Sequence, residues 1–198
     1  MVYKYDFLVI GAGVAGMSYA LKVARANKGR VCMICKTSLE EANTSFAQGG
    51  VASVTNMKLD TFDKHIADTI IAGDYISDRK AVEQVVRKAP EQIQELVNWG
   101  VNFDKQDDGS FDLHREGGHS EFRILHHADD TGAEIQRGLM EAVRHNPNID
   151  IRRIISPSRL SRSTIWVCAS PGARPTSNAM ALMCSIPARR RWIPIWPR

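Results

Sequence analysis

Three glycines near the N-terminus constrain the fold of this chain more than any other feature. Gly11, Gly13 and Gly16 follow directly on residues 6–10, which are apolar except for Asp6, and precede apolar residues that recur at helical spacing. The G-x-G-x-x-G motif is weak alone, but between a strand and a helix it is typical of a dinucleotide-binding βαβ unit. There the first glycine permits a tight turn, the second admits a pyrophosphate, and the third lets the helix pack on the strand. The alternative is a purely structural glycine turn.

A second predicted strand, residues 30–36, completes the βαβ unit after the helix stop at residues 27–29. This pattern predicts an α/β fold with a parallel sheet. The standard motif places an acid at the end of the second strand, where it binds a ribose hydroxyl. Here that place is occupied by Cys35 and Lys36, which weakens the interpretation as an NAD-dependent dehydrogenase. Lys36 offers only donors, which could reach a ribose or phosphate oxygen.

The sequence pattern of residues 37–151 predicts further helices and strands. Helices are expected at residues 61–72, from Ser77 to Lys88, from Pro90 to Gly100 and, behind a capping box, from Thr131 to about His145. Residues 101–113 predict two strands around a turn at residues 107–110, and Ile149 begins another strand.

Cys32 and Cys35 form a C-x-x-C pair, which can indicate a redox pair or half of a zinc site. Both lie in the second predicted strand, where residues three apart face opposite sides of the sheet. We therefore expect two free cysteines, as is usual in a reducing compartment. The longest apolar run, residues 7–17, is too short to span a bilayer. We expect a cytoplasmic protein with no membrane partner.

The net charge of +4 conceals a sharp change in composition. Residues 152–198 contain nine arginines and no lysine, acid or histidine, so the first 151 residues carry a net charge of −5. This tail could be a basic arm that binds nucleic acid or a segment that lies on a membrane surface. We favour a third interpretation, a shift of the reading frame in the coding sequence. We accordingly expect a partial domain over residues 1–151, an unstructured tail over residues 152–198, and no nucleic-acid partner.

Residues 43–50 form a polar loop with the sequence N-T-S-F-A-Q-G-G. Its small residues and two glycines allow a close approach to a flat ligand. Thr44, Ser45 and Gln48 can form hydrogen bonds with a ring edge or a phosphate. By its chemistry alone, the segment could also be an ordinary surface loop.

With this loop the chain resembles the flavoprotein superfamily of succinate dehydrogenase, fumarate reductase and L-aspartate oxidase. Members combine an N-terminal dinucleotide motif with a segment ending in A-Q-G-G, here residues 47–50. The respiratory members bind FAD covalently through a histidine where this chain has Asn43. The resemblance therefore implies an incomplete Rossmann-like FAD-binding domain that holds FAD noncovalently.

A second stretch, R-E-G-G-H-S at residues 115–120 followed by R-I-L-H at residues 123–126, is similar to the L-aspartate oxidase branch. In that branch the glutamate at the position of Glu116 meets the substrate amino group, and a carboxylate is suited to an ammonium. A surface loop of mixed charge is the alternative. The resemblance gives catalytic roles to Glu116 and His119. It gives no metal-binding role to His126, His127, Asp129 or Asp130.

The resemblance further implies oxidation of L-aspartate to iminoaspartate, with oxygen or fumarate as electron acceptor. The product would pass to quinolinate synthase in the biosynthesis of NAD. Further catalytic residues and a capping domain lie downstream in such enzymes, so we expect an incomplete chain that is inactive alone. The alternatives are a fragment of a fumarate reductase- or succinate dehydrogenase-type flavoprotein and a noncatalytic FAD-binding remnant. The residues expected to bind FAD are Gly11, Ala12, Gly13, Val14, Ala15, Gly16, Lys36, Asn43, Thr44, Ser45, Phe46, Ala47, Gln48, Gly49 and Gly50.

Overall fold

The structure, a computed structural model, describes residues 4–36, 38–153 and 166–169 of the 198-residue chain. It divides into two compact units, residues 1–42 with 140–198 and residues 43–139, called here the first and second unit. This division lies inside the span 1–151 for which a single partial domain was expected. The boundary at residue 151 itself stays a prediction.

The described elements include both strands and helices, as expected of an α/β chain. In order they are β1 Phe7–Ile10, α1 Val14–Arg25, β2 Val31–Cys35, a 3-10 helix Asn43–Phe46, β3 Val51–Ala52, α2 Phe62–Ala72, α3 Arg79–Asn98, β4 Leu113–His114, β5 Ile124–Leu125, α4 Thr131–Arg144, β6 Ile149–Arg153 and β7 Trp166–Ala169.

The first unit contains a four-stranded sheet in the order β6-β2-β1-β7. Strand β2 is parallel to both β1 and β6, so the predicted parallel βαβ unit is confirmed. Val9, Met17, Ala20, Val31 and Met33 are fully buried. The near-continuous burial of β2 is typical of a central parallel strand, whereas burial alternates along β1.

Strand β7 differs from the expectation of a tail without structure. Residues 166–169 pair antiparallel with β1, with Phe7 opposite Ala169, and thus make the sheet mixed. Strand β6 also extends past the predicted boundary, through Arg153. The alternating composition that usually signals an antiparallel strand is absent from W-V-C-A, which explains why the sequence did not indicate β7. Residues 154–165 and 170–198 of the predicted tail lie outside the described residues.

Cys32 and Cys35 are both buried and free of disulfide bonds, in agreement with the prediction for the pair. Each is at most 6% exposed. Burial raises the pKa of the Cys32 thiol, which keeps it protonated and unreactive near neutral pH. The two cysteines of the C-x-x-C pair therefore lie in the core of the first unit.

The second unit contains helices α2 and α3 and a small antiparallel sheet in the order β3-β5-β4. Thr61 caps α2 by accepting a hydrogen bond from the Lys64 amide at 3.2 Å. Asp78, and not Ser77 as predicted, caps α3. Its carboxylate accepts hydrogen bonds from the amides of Lys80 and Ala81. A carboxylate is also favoured electrostatically at a helix N-terminus.

The prediction of two helices separated at Pro90 was wrong, because α3 runs unbroken through Pro90. Proline costs a helix one backbone hydrogen bond and introduces a steric clash, but tertiary packing can offset this local cost. Val86 and Ile93, on either side of Pro90, are each 3% exposed and anchor α3 in the unit.

Two further local predictions were only partly met. The strand pair expected in residues 101–113 is reduced to one bridge between Lys105 and Phe111 before β4 begins. Helix α4 forms as predicted, but its capping box does not, because the Glu134 carboxylate accepts a hydrogen bond from the Asn102 amide at 2.7 Å. In the described part of the chain no helix combines the length and apolar character needed to cross a membrane.

Candidate functional site

The glycine motif in the first unit has the backbone geometry that its spacing predicts. Gly11 has a φ of +115° at the end of β1, a conformation that side chains disfavour, and its amide donates to the Ile34 carbonyl at 2.9 Å. Gly16 lies so close to β1 that a Cβ atom there would clash with the Gly11 carbonyl oxygen. The first glycine thus makes the turn, and the third brings α1 against the strand.

The N-terminus of α1 offers an electropositive backbone surface. Gly13 is the N-cap residue, and its extended backbone leads into Val14 without a capping side chain. The first turn contains no acidic residue. Amides in the first turn of a helix have no partners within the helix, and the helix dipole adds positive potential there. This donor set and charge fit a pyrophosphate, which is the group that such helix starts commonly bind.

Lys36 follows β2 directly and is exposed, in the first unit with the glycine motif. The parallel pairing of β1 with β2 places the C-terminal ends of both strands at the same edge of the sheet. In open α/β sheets, ligands bind at that edge. The position of Lys36 therefore remains compatible with the predicted contact to a ribose or phosphate oxygen.

The predicted cofactor loop, residues 43–50, belongs to the second unit. It begins with the 3-10 helix and is held at Ala47, whose amide donates to the Thr44 carbonyl at 3.2 Å. The Ala47 carbonyl accepts a hydrogen bond from the Gly132 amide at 2.9 Å, at the start of α4. Phe46 is 75% exposed, which is unusual for a large apolar side chain and is consistent with a binding surface.

Glu116 and the end of this loop are brought together by the fold. The Gly50 amide donates to Glu116 Oε1 at 3.4 Å, across 66 residues of sequence. The His119 amide donates to the Glu116 carbonyl at 3.2 Å, so both predicted catalytic residues share one turn. Glu116 is exposed and His119 is half-buried. The arrangement presents a carboxylate beside a segment whose sequence predicts flavin binding, and a carboxylate there can pair with an ammonium.

The structure adds three residues to this region that the sequence analysis missed. Arg123, 0% exposed, donates to both carboxylate oxygens of Asp60, at 2.6 and 2.8 Å. It also donates to Asp68 and lies 3.3 Å from His119 Nδ1. Asp68 in turn accepts hydrogen bonds from the amide and hydroxyl of Ser120, both at 2.8 Å. This group, the Arg123 cluster (Asp60, Asp68, Arg123), anchors the turn that carries Glu116 and His119.

Hydrogen bonds within the cluster favour the charged forms of Asp68 and Arg123. Burial alone would raise the pKa of Asp68, but hydrogen bonds from Ser120 and Arg123 outweigh it and lower the pKa. Burial alone would lower the pKa of Arg123, but Asp60 and Asp68 outweigh it and raise the pKa. His65, buried nearby, has a lowered pKa because of burial and the positive charge of Arg123. The cluster thus holds fixed charges while the neighbouring His65 stays neutral.

The lowered pKa of Asp68 predicts a pH dependence of folding stability. A carboxyl group whose pKa is lower in the folded state stabilises the fold above its unfolded pKa, about 3.9, and loses that contribution as the pH falls through the folded pKa. We expect the difference in urea midpoint between the wild type and Asp68→Asn to be largest at pH 6–7 and to shrink below about pH 4. Circular dichroism from pH 7 to pH 3 measures it. A difference independent of pH would contradict the ionised cluster.

A different cluster in the second unit, Asp112, His114 and His126, has ligand atoms within 4.8 Å of one another. The D-x-H spacing of Asp112 and His114 is a sequence signal that could have indicated this cluster, but the sequence analysis did not use it. The two imidazole rings, however, are stacked 3.7 Å apart at an angle of 22°. One ion cannot lie in both of two nearly parallel ring planes, as ligation by both rings requires. This arrangement does not favour a metal, and the expectation that His126, His127, Asp129 and Asp130 bind none stays a prediction.

Comparisons with known proteins show the family to which the chain belongs. A family model described as an FAD binding domain matches residues 6–174, beyond the boundary expected at residue 151. L-aspartate oxidase 2-b, chloroplastic, of Nicotiana tabacum is 50% identical over 147 residues, which are 74% of this chain and 22% of that protein. L-aspartate oxidase of Vibrio cholerae is 42% identical over 154 residues, which are 75% of this chain and 28% of that protein.

Among solved structures, a mutant of E. coli quinol fumarate reductase superposes with a TM-score of 0.71 at 30% identity. The match covers 75% of this chain and 26% of that one. The chain therefore spans between about a fifth and about three tenths of the length of the relatives it matches.

Proposed function

The chain belongs to the FAD binding domain family, and from this premise we propose that it is the FAD-binding part of an L-aspartate oxidase. The observation that carries the proposal is the hydrogen bond between the Gly50 amide and Glu116. The Glu116 carboxylate thereby lies beside the end of residues 43–50, the segment that we propose binds the flavin. Identities of 50% over 147 residues and 42% over 154 residues to L-aspartate oxidases support the assignment.

The residues divide into two sets with different tasks. The amides of residues 11–16 would bind the pyrophosphate of FAD, and Lys36 and residues 43–50 would bind its other polar groups. FAD, when bound, supplies the acceptor for the hydride that leaves the substrate. Glu116 would orient the substrate by pairing with its ammonium. Other residues of the whole enzyme would bind the two substrate carboxylates, because a single carboxylate cannot.

The whole protein would oxidise L-aspartate to iminoaspartate and pass electrons to oxygen or fumarate. A partnership with quinolinate synthase in NAD biosynthesis and a cytoplasmic location remain parts of the proposal. The second candidate is a succinate- or fumarate-specific flavoprotein, which the TM-score of 0.71 to quinol fumarate reductase keeps open. Glu116 favours the amino acid, since a carboxylate would leave succinate without a matching cation and repel its charge.

We expect FAD to be released when the protein is precipitated with acid. Covalent attachment in the respiratory members requires a histidine, and Asn43 has no ring nitrogen that could form that bond. The purified chain should show a flavin absorbance spectrum, and the yellow colour should appear in the supernatant after precipitation and centrifugation. Flavin that stays in the washed pellet would contradict noncovalent binding.

Gly13→Glu should weaken FAD binding at least tenfold. The substitution places bulk and negative charge at the N-cap of α1, where a pyrophosphate would meet the helix amides. Flavin fluorescence quenching measures the affinity. Asp108→Gln, in the exposed turn between Lys105 and Phe111, is a matched control that should bind FAD as the wild type does. If the wild type and Gly13→Glu bound FAD with equal affinity, the glycine motif would not be part of the FAD-binding site.

A further inference from the structure

Every donor-bearing nitrogen of the Arg123 guanidinium has a contact within the second unit. Nε and Nη2 bind Asp60, whose side chain is 3% exposed. Nη1 binds Asp68 and also lies 3.3 Å from His119 Nδ1. Since the buried carboxylate of Asp60 and the partly buried carboxylate of Asp68 bind different nitrogens, the guanidinium is held in position relative to the ring of His119.

This contact decides which ring nitrogen of His119 carries the proton. A guanidinium only donates hydrogen bonds, so His119 Nδ1 must accept. A neutral imidazole that accepts at one nitrogen carries its proton at the other. The contact therefore favours hydrogen on Nε2 of His119, because a hydrogen on Nδ1 would set two N–H groups against each other.

Two further groups lie around this contact. The His65 ring lies 5.7 Å from the His119 ring, and the lowered pKa of His65 keeps it uncharged. Asp68, which binds the same nitrogen of Arg123, is already engaged by Ser120 and Arg123. Among the described contacts, His119 Nε2 forms no hydrogen bond with a protein group.

We propose that Arg123 is a positioning residue that holds His119 as the Nε2–H tautomer, so that His119 donates a hydrogen bond to an anionic oxygen of the substrate and does not act as a base. The proposal deepens the proposed function and rests on it for the identity of the substrate. Asp60 and Asp68 act through Arg123, and Asp68 also fixes the turn through Ser120.

Under this proposal, Glu116 and His119 of the same turn bind different groups of the substrate. Glu116 supplies a negative charge for an ammonium, while His119 supplies a neutral donor for a carboxylate oxygen. The two are linked by the hydrogen bond from the His119 amide to the Glu116 carbonyl. Together they would recognise the two unlike charges of an amino acid. The proton of the amino group must then be taken by a residue other than His119.

The tautomer is measured by nitrogen NMR on the chain labelled with ¹⁵N-histidine, with the His119 signals assigned by their loss in His119→Gln. His145 is an internal control, since its Nδ1 lies 2.8 Å from the Glu141 carbonyl and must donate. At pH 7.5 we expect hydrogen on Nε2 of His119 and on Nδ1 of His145. Hydrogen on Nδ1 of His119, or on both of its nitrogens, would overturn the proposal.

The role of Arg123 is tested with Arg123→Lys, which keeps the charge between Asp60 and Asp68 but loses the planar set of donors. We expect His119 in this variant to show a mixture of the two neutral tautomers. Circular dichroism verifies that the variant is folded; if it is not, Asp68→Asn replaces it, since loss of that carboxylate releases Nη1. If His119 in the folded variant still carried hydrogen on Nε2 alone, Arg123 would not be the positioning residue.

The donor role is tested in an extended chain, in which the reading frame after residue 151 is restored and the downstream coding sequence is supplied. The glutamine amide nitrogen reaches the place of His Nε2, whereas the asparagine nitrogen reaches only that of Nδ1. The KM for L-aspartate should therefore rise at least tenfold more in His119→Asn than in His119→Gln. Equal KM values would overturn the donor role. An extended chain inactive on aspartate would instead contradict the proposed function, and the NMR result would stand separately.

Discussion

Arg123→Met is expected to lower the free energy of unfolding by about 3–5 kcal/mol. The substitution keeps the length of the side chain but removes a guanidinium that is 0% exposed and bound by Asp60 and Asp68. It would leave two carboxylates, 3% and 14% exposed, without their shared cation. Breaking a buried ion pair by removal of one partner is costly because the remaining charge stays buried. Urea unfolding followed by circular dichroism measures the loss.

A matched control is Arg87→Met, which removes an arginine from an exposed ion pair in the same unit. Arg87 lies 3.1 Å from Asp63, and the two side chains are 53% and 87% exposed. Such surface pairs contribute at most about 1 kcal/mol. If Arg123→Met were no more destabilising than Arg87→Met, the Arg123 cluster would not anchor the second unit.

A polypeptide of these 198 residues, expressed alone, is expected not to turn over L-aspartate. It contains Glu116 and His119, but the matched region is only 22% of the tobacco relative. The two substrate carboxylates need cationic residues to bind them. In the enzymes that this chain resembles, those cationic residues lie downstream of the matched region. The absence of groups that act together costs several powers of ten in rate. The extended chain should release peroxide with L-aspartate, and Glu116→Gln should reduce its kcat/KM by about tenfold or more.

Peroxide release above background by the 198-residue polypeptide would contradict this expectation. A coupled peroxidase assay detects it, and free FAD mixed with aspartate serves as the blank. Ser110→Ala, in an exposed turn, is a control for the extended chain that should leave the rate unchanged. If Glu116→Gln had no larger effect than Ser110→Ala, the carboxylate would not bind the substrate.

The fold of the first unit was predictable because its signals are local. A short apolar run, three spaced glycines and a helical pattern each involve neighbouring residues, and their physical roles leave few alternatives. The structure places β1, α1 and β2 within about a residue of the predicted bounds. The glycine turn was equally predictable, since only glycine tolerates the φ of Gly11.

The Arg123 cluster was not predictable from the sequence because its partners are distant in the chain. Arg123 is 63 residues from Asp60 and 55 from Asp68. Charged residues are usually exposed, so nothing local marks these three as buried. The prediction of a helix break at Pro90 was wrong for the opposite reason. Proline strongly disfavours the interior of a helix, but the packing of α3 outweighs this local preference.

Strand β7 shows a third limit of sequence patterns. Its four residues carry no alternation, and it pairs antiparallel with the edge of a sheet that is otherwise parallel. A strand of this kind is specified by the free edge of β1 more than by its own composition. The interpretation of the tail as a frame shift remains a prediction, and the DNA sequence across codons 145–160 tests it.

The central claim is that this chain is the FAD-binding part of an enzyme specific for L-aspartate. The most direct measurement compares kcat/KM of the extended chain for L-aspartate and succinate under one set of conditions, with flavin reduction as the readout. We predict a higher kcat/KM for L-aspartate than for succinate. Glu116→Gln should reduce the ratio of the two values by at least tenfold, since the ammonium loses its partner. A preference for succinate in the unaltered enzyme would contradict the account.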